Sequence, residues 1–300
     1  MRRTTGAIVK LRFAGRNPVG NRYPTRRAFS IFLKGERTIS KRVLLIGCGK
    51  MGGALLGHWM KGEEDFTVTD PALESGPHGA RLVKGREEFG SDERFDVIIV
   101  AIKPQMVGDI LPGFADLLAD DGYVLSIAAG CSIERLSSAM DGAPVIRVMP
   151  NLPAAIGRAV SGICAADGVD RDQLAHAQDL MGRAGRTVTV DSEDALDRVT
   201  AVAGSGPGYV FEIARAYVAA AEELGFDKAQ AREMVLGTIE GTIAMAQEEG
   251  ETELAELRNS VTSKGGTTAA GLDALNGDGV VSDKLRATLQ AAYDRAVELR

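Results

Sequence analysis

The chain has 300 residues, of which 45% are hydrophobic and 25% charged, and this content excludes a wholly disordered protein. The formal net charge is −6, and because the basic residues concentrate near the N-terminus the remaining body is strongly acidic, which argues against nucleic acid as a partner. No apolar run is long enough to cross a membrane, and three cysteines without CxxC spacing favour a reducing compartment, which predicts a cytoplasmic protein.

Residues 1–40 are rich in arginine and nearly free of acidic residues. An organelle transit peptide has this composition, and so does a disordered basic tail or a translation start placed too far upstream. We therefore describe the segment as a basic leader, predicted to be disordered, and assign it no chemistry.

From Lys41 onward, short apolar runs alternate with helical patterns. Such alternation predicts a doubly wound, parallel sheet with helices on both faces. After Asp191 the strands cease, and apolar residues recur every three to four positions along alanine-rich segments. Helices are predicted there over 209–224, 228–249 and 284–300. Because a few long helices alone bury little surface, we expect them to pack against a second subunit as a homodimer. The predicted strands lie at 43–46, 66–69, 97–102, 123–127, 145–149, 160–165 and 187–190.

A GxGxxG motif follows the first predicted strand and precedes a helix. Gly47 allows a tight turn, Gly49 allows close approach of a pyrophosphate, and Gly52 allows the helix to pack closely on the strand. Although a glycine-rich turn that binds nothing is the alternative, this context predicts a Rossmann-like domain that binds NADPH or NADH. The predicted cofactor ligands in the loop are Gly47, Cys48, Gly49, Lys50, Met51 and Gly52.

Asp70 ends the second predicted strand, where an acidic residue can accept hydrogen bonds from the adenosine ribose. That role favours NADH, because the carboxylate would repel a 2′-phosphate. Asp70 also precedes Pro71, and Asp-Pro commonly starts a turn. Both interpretations, ribose ligand and turn former, remain open at this point.

Two later strands end at the same edge of the predicted sheet. Ala101 lies near the end of one of them and Lys103 and Pro104 follow it, so we expect all three at the cofactor. An ordinary loop lysine is the alternative for Lys103. Asn151 follows the other. Its amide either bonds the nicotinamide amide or caps the next turn.

The segment Val261–Thr268 contains two adjacent glycines flanked by hydroxyl side chains. Backbone N–H groups here, together with the start of the next helix, suit a substrate carboxylate. The alternative is an interhelical loop in which Thr267 or Thr268 caps a helix. The candidate residues of this carboxylate site, to which the family resemblance described below assigns the substrate, are Ser263, Gly265, Gly266, Thr267 and Thr268. Histidines occur only at positions 58, 78 and 176, without metal-ligand spacing, and no metal is predicted.

Five stretches taken together resemble the pyrroline-5-carboxylate reductase family from about residue 42 to the C-terminus: GCGKMG, VAIKPQ, RVMPNLP, AGSGPGYVF and ELRNSVTSKGGTTAAGL. The last is the specific one, since GxGxxG and Lys-Pro turns recur in many dehydrogenases. The chain departs from the family at Lys264, where proline is usual, and at Leu152, where threonine is usual.

The resemblance implies an NAD(P)-binding Rossmann-like domain at 41–195 and a helical dimerisation and substrate-binding domain at 196–300. Dimers would gather into larger rings, with active sites at the dimer interface. The implied reaction is hydride transfer from NAD(P)H to 1-pyrroline-5-carboxylate, giving L-proline in the last step of proline biosynthesis. Lys103 and Thr268 would be the catalytic residues, with Thr268 nearest the imine nitrogen. A related imine or β-hydroxyacid reductase and a non-catalytic nucleotide-binding protein are the alternatives.

Overall fold

A sheet of eight strands with helices on both faces forms the first part of the described chain. The structure, a computed structural model, describes residues 40–300, so the predicted leader lies outside the described residues except for Ser40. The strands are β1 (Arg42–Ile46), β2 (Asp65–Thr69), β3 (Arg81–Val83), β4 (Phe95–Val100), β5 (Leu118–Ser126), β6 (Val145–Met149), β7 (Ala159–Ala165) and β8 (Gly185–Val190).

The strand order is β3-β2-β1-β4-β5-β6-β7-β8, and every neighbouring pair is parallel except β6 and β7. The doubly wound sheet predicted from the sequence is confirmed, with one antiparallel pair that the pattern did not indicate. The connection from Pro150 to Arg158 explains this pair. It is too short for the crossover that two parallel strands require, which takes a dozen or more residues.

Helices cover both faces of the sheet, and β1 shows how its residues meet them. Val43 and Leu45 belong to the core cluster that includes Trp59 of the first helix, whereas Leu44 and Ile46 belong to the cluster on the opposite face. All four side chains are buried, as expected of a central strand in a parallel sheet. Burying each such side chain stabilises the fold by roughly 1.5–3 kcal/mol.

The helices that follow Asp191 form a separate group after the last strand. The predicted long helices at 209–224, 228–249 and 284–300 are confirmed with shifted ends. The helix after the glycine motif, which the sequence also predicts, begins at Lys50. The helices are α1 (Lys50–Trp59), α2 (Val107–Ile110), α3 (Ile133–Ala139), α4 (Arg171–Gly182), α5 (Glu193–Val199), α6 (Gly206–Glu223), α7 (Lys228–Glu248), α8 (Leu254–Ser260), α9 (Thr267–Asn276) and α10 (Val280–Glu298).

A π-helical turn at Thr200–Gly204 joins α5 to α6. The helices after this turn expose many large apolar side chains, among them Phe211 at 63% and Leu224 at 82% exposure. An uncovered apolar surface of this extent marks an interaction site. Within residues 40–300, no helix combines the length and the apolar character that crossing a membrane would need.

Candidate active site

The glycine motif forms a tight turn between β1 and α1. The N–H of Gly47 donates to the carbonyl oxygen of Thr69 at 2.9 Å, which holds the turn against the end of β2. Gly47 has a φ of +84°, and a Cβ there would lie 2.8 Å from Cγ2 of Ile102. A Cβ on Gly52 would lie 3.0 Å from the Gly47 carbonyl oxygen. The turn and the close approach of α1 therefore require glycine at these two positions.

Gly49 is free of such contacts and caps the N-terminus of α1. A Cβ added there would meet nothing within 4 Å, so the space beside it is open. The first turn of α1 carries no acidic residue and no side-chain cap. Its N–H groups therefore have no partner within the helix, and they suit a phosphate group. This open cradle fits the pyrophosphate of a dinucleotide.

A cavity of about 640 Å³ lies beside the glycine turn, at the carboxyl ends of β1, β2 and β4. Ligands bind at this edge of open α/β sheets. The predicted cofactor residues on its wall are Gly47, Gly49, Asp70, Ala101 and Lys103. The other predicted cofactor residues are not on its wall, namely Cys48, Lys50, Met51, Gly52, Pro104 and Asn151.

Asp70 connects the glycine turn to the loop after β2. Its Oδ2 accepts a hydrogen bond from the Cys48 N–H at 2.8 Å, and its Oδ1 accepts one from the Ala72 N–H at 2.9 Å. The turn-forming role is therefore confirmed, and contact with the ribose stays a prediction. Burial and the nearby Asp70 carboxylate raise the pKa of the Cys48 thiol, so Cys48 remains protonated.

Lys103 and Pro104 lie just beyond β4. Lys103 is exposed and precedes a short 3₁₀ turn that begins at Pro104. The carbonyl oxygen of Pro104 accepts a hydrogen bond from Nη2 of Arg135 at 2.9 Å, which connects this turn to α3. Lys103 thus lies on a loop that this hydrogen bond holds in place, and it lines the cavity.

Asn151 is buried, and both ends of its amide are bonded within the chain. Oδ1 accepts from the Val160 N–H at 2.9 Å, and Nδ2 donates to the carbonyl oxygen of Ala203 at 3.0 Å. Its side chain does not cap the turn at Leu152–Ile156, so the capping alternative is wrong. Contact of Asn151 with the nicotinamide stays a prediction.

The π-helical turn brings two sequence motifs together. The Ser205 N–H donates to the Thr200 carbonyl oxygen at 2.9 Å, and a Cβ on Gly204 would lie 2.9 Å from Cε of Met149. The segment MPN, which begins with the last residue of β6, therefore packs directly against the segment AGSG, which ends with the first residue of α6. Single-turn π-helices occur often at functional sites.

The predicted substrate segment forms the turn between α8 and α9. Gly266 is the N-cap of α9, and Thr267 and Thr268 are its first helical residues, so the alternative in which a threonine caps this helix is wrong. Gly265 has a φ of +71°, a conformation that favours glycine. Both threonines are exposed, and the segment does not line the cavity beside the glycine turn in the same chain.

Lys84 and Arg86 also line the cavity, although sequence analysis did not select them. They follow β3, which spans only Arg81–Val83 and is too short to show a strand pattern. The available signal in the sequence was Lys84, a basic residue between a short apolar run and a glycine. This pattern indicates a place at the cavity only when the neighbouring strands are known, and the sequence does not show which strands are neighbours.

Open α/β architecture, a glycine cradle and a cavity at the strand ends define a dinucleotide-dependent oxidoreductase. The chain is 35% identical over 265 residues to the pyrroline-5-carboxylate reductase of Haemophilus influenzae, a match that covers 86% of this chain and 97% of that protein. The chain therefore belongs to the pyrroline-5-carboxylate reductase family.

Family models and solved structures agree with this membership. Residues 193–299 match the family described as pyrroline-5-carboxylate reductase dimerisation, and residues 42–130 match NADP oxidoreductase coenzyme F420-dependent. The Coxiella burnetii pyrroline-5-carboxylate reductase has a TM-score of 0.79 and 29% identity, covering 87% of this chain and 98% of that one. The Plasmodium falciparum pyrroline carboxylate reductase, solved with NADP bound, shares the fold, with a TM-score of 0.75, 23% identity and coverages of 86% and 98%.

The dimerisation match covers the helices that expose apolar residues. Val210, Phe211, Ile213 and Tyr217 on α6 are all more than half exposed in a single chain. The family match accounts for this exposure, because these helices pack against a second copy in a homodimer.

Proposed function

We propose that the chain reduces the cyclic imine 1-pyrroline-5-carboxylate to L-proline, with NADH or NADPH as the reductant, in the last step of proline biosynthesis. The main support is the glycine cradle, which opens onto a cavity edged by Lys103 in a member of the pyrroline-5-carboxylate reductase family. The TSKGGTT segment at the start of α9 disfavours a β-hydroxyacid reductase with the same cofactor domain. A non-catalytic nucleotide-binding protein would not require that segment.

The cofactor residues have separate tasks in this proposal. The N–H groups at the start of α1 bind the pyrophosphate, and Gly49 leaves room for it. Lys103 and Ala101 line the cavity toward the nicotinamide, and Asn151 and Pro104 position the loops around it through their hydrogen bonds. The N–H groups concerned belong to Lys50, Met51 and Gly52, with Cys48 and Gly47 forming the turn before them.

The substrate carboxylate is held at the start of α9. The ten-residue helix has no acidic residue in its first turn and no side-chain cap, so its first N–H groups suit an anion. Ser263 and Thr267 add hydroxyl donors, and Gly265 and Gly266 bring the backbone close. The Thr268 hydroxyl bonds the imine nitrogen. Because this segment is exposed and does not line the cofactor cavity of its own chain, the active site is completed by the partner subunit.

The reaction needs little acid–base chemistry from the protein. Bound NAD(P)H supplies a hydride to the imine carbon. The imine nitrogen takes one proton and becomes the secondary amine of proline. The protein residues orient the carboxylate, exclude water and keep the imine carbon within reach of the cofactor cavity, and such positioning can supply about 7–11 kcal/mol of the barrier reduction.

We also propose a division into domains at 41–195 and 196–300. The last strand ends at Val190 and the dimerisation match begins at residue 193, which supports this division.

Dimers would assemble into rings in the cytoplasm without nucleic acid as a partner. Cys48, Cys131 and Cys164 are buried and form no disulfide.

The activity is tested by mixing the purified full chain with 1-pyrroline-5-carboxylate and either NADH or NADPH. Oxidation of the nicotinamide with equimolar formation of proline is the expected result. A folded dimer that binds the cofactor but forms no proline would contradict the proposed reaction and favour a non-catalytic nucleotide-binding protein.

The role of Thr268 is tested with two substitutions, one that removes the hydroxyl and one that keeps it. Thr268→Val removes the hydroxyl, and we expect kcat/KM to fall about tenfold or more, equivalent to about 1.4 kcal/mol. Thr268→Ser keeps the hydroxyl and should retain most of the activity. Equal kcat/KM values for the two variants would show that the hydroxyl does not contact the reacting imine.

A further inference from the structure

The Asp70 carboxylate has a fixed orientation on the wall of the cavity, directly after β2. Two backbone N–H groups hold it, one from Cys48 at 2.8 Å and one from Ala72 at 2.9 Å. The first belongs to the glycine turn and the second to the loop after β2. The side chain lines the cavity together with Gly47 and Gly49.

This carboxylate retains capacity for a ligand. An ionised carboxylate offers about four lone-pair sites on its two oxygens. The Cys48 and Ala72 N–H groups use one site on each oxygen. The remaining sites can accept hydrogen bonds from the two hydroxyls of an adenosine ribose. A 2′-phosphate offers negative oxygens at the same place and would be repelled.

The three residues that follow Asp70 supply no side chain that would attract a phosphate. They are Pro71, Ala72 and Leu73, which carry neither a cation nor a hydroxyl. Pro71 has no N–H group, and the Ala72 N–H is already bonded to Asp70. The position that holds an arginine in many NADP-binding domains is therefore apolar here.

Two basic residues on the neighbouring loop, directly after β3, are the opposing consideration. Lys84 and Arg86 line the same cavity. Arg86 is paired with Asp116 through Nε, at 3.3 Å, and through Nη2, so its charge is already partly balanced. Asp109 adds a second carboxylate to the cavity wall. Lys84 is thus the residue to test as a phosphate ligand.

We propose that Asp70 makes this chain selective for NADH over NADPH, by accepting the ribose hydroxyls and excluding the 2′-phosphate. The inference rests on the proposed function, since it assumes that the cavity binds a nicotinamide dinucleotide. It goes beyond that function by naming the preferred cofactor and the residue that selects it.

The test is the affinity of the purified full chain for NAD⁺ and for NADP⁺, each titrated separately by calorimetry in the absence of substrate. We expect NAD⁺ to bind at least about tenfold more tightly, since a like charge this close carries a penalty of that order or more. Equal affinities, or tighter binding of NADP⁺, would overturn the proposal.

Variants distinguish a role of Asp70 in cofactor selection from a role in holding the glycine turn. Asp70→Asn removes the charge and keeps one acceptor oxygen, so the preference should fall to less than about threefold. A purely structural role would weaken both dinucleotides equally and leave their ratio unchanged, which would contradict the proposal. Glu74→Gln removes a charge from the same loop outside the cavity and should leave the ratio as in the unaltered chain.

Lys84→Gln tests the opposing consideration. We expect this substitution to change the ratio of the two affinities little. If instead the unaltered chain prefers NADP⁺ and Lys84→Gln loses NADP⁺ binding selectively, then Lys84 is the phosphate ligand and the proposal is overturned.

Should Asp70→Asn fail to fold, Asp70→Glu provides a second variant, because it keeps the charge on a longer side chain. It should still exclude NADP⁺ while binding NAD⁺ more weakly. These measurements do not involve the imine, so a failure of the proposed reaction would leave them interpretable.

Discussion

The side-chain amide of Asn151 donates a hydrogen bond to the carbonyl oxygen of Ala203 at 3.0 Å. Because Oδ1 of the same amide accepts from Val160 N–H at 2.9 Å, one buried residue connects the end of β6 with both β7 and the π-helical turn. The spacing between β7 and the π-helical turn therefore depends on a single side chain.

Replacing Asn151 by Asp should destabilise the fold. The carboxylate has no N–H group for Ala203, and it places a negative charge beside a carbonyl oxygen. We expect a loss of about 1–3 kcal/mol in the free energy of unfolding, measured with urea at a fixed protein concentration. Asn259→Asp, on the exposed surface of α8, should change stability by less than about 0.5 kcal/mol. Equal losses in the two variants would refute the role of Asn151.

Gly47 and Gly49 should respond to alanine in opposite ways. Gly47→Ala forces a side chain into a left-handed conformation and against Ile102, so it should lower the free energy of unfolding by about 1–3 kcal/mol without any ligand. Gly49→Ala meets no neighbouring atom and should leave that free energy unchanged. It should weaken NAD⁺ binding instead, because the methyl group takes up space in the phosphate cradle. Unfolding with urea and calorimetric titration check the two effects, and unchanged NAD⁺ affinity in Gly49→Ala would place the dinucleotide elsewhere.

Glu64 should make the stability of the fold sensitive to acid. Two hydrogen bonds from Arg183, at 2.7 and 2.8 Å, and one contact with His176, at 3.3 Å, surround its carboxylate. Burial alone would raise the pKa of Glu64, but the hydrogen bonds and charge of Arg183 outweigh it and lower the pKa to about 2. An unfolded glutamate titrates near about 4.3. The stabilising contribution is therefore present above about pH 4.3 and is lost as the pH falls toward about 2.

Glu64→Gln tests this dependence. At neutral pH we expect it to lower the free energy of unfolding by about 1.5–3 kcal/mol, the value of hydrogen bonds to a charged group. The difference from the unaltered chain should shrink as the pH is lowered through the range between the two pKa values. Glu63→Gln, an exposed neighbour, provides the control. A difference in the free energy of unfolding that stays constant with pH would mean that Arg183 does not lower the pKa of Glu64 as described.

Phe211 offers a test of the dimer surface. Its side chain is 63% exposed on α6, and Phe211→Glu places a charge on a surface that a second subunit covers. We expect the variant to elute as a monomer in size-exclusion chromatography with light scattering. Val188→Glu makes the same kind of change on β8, outside the dimerisation match, at a residue that is 46% exposed. It should remain dimeric, and a dimeric Phe211→Glu would place the interface on another face.

Much of the fold was predictable because local patterns of apolar residues indicate its strands and helices. The continuous apolar run Val43–Ile46 indicated a strand buried on both faces, and the alanine-rich periodicity after Asp191 indicated helices. The strand Arg81–Val83 was not predicted, because three residues show no alternation. The antiparallel direction of β7 was also missed, since direction follows from the length and path of the connection rather than from the strand's own residues.

The site was predictable only in part, because several of its residues act through distant partners. The glycine motif indicated the turn at Gly47 correctly. For Asp70 and Asn151 the sequence left two interpretations open. The contacts that bear on the turn-forming role of Asp70 and on the position of the Asn151 amide come from Cys48, Ala72 and Ala203. A hydrogen bond between residues more than fifty positions apart, as between Asn151 and Ala203, leaves no local signature.

The apolar surface of α6–α10 has a consequence for how the protein is made. A newly synthesised chain carries these side chains in water until it meets another copy, whereas its sheet already covers both of its own faces with helices. The time spent unpaired depends on how many copies are present, so dilute or slow synthesis prolongs exposure to aggregation and proteolysis. Expression level therefore becomes a determinant of the yield of intact protein, and the helical third is the part where chaperones would first be needed.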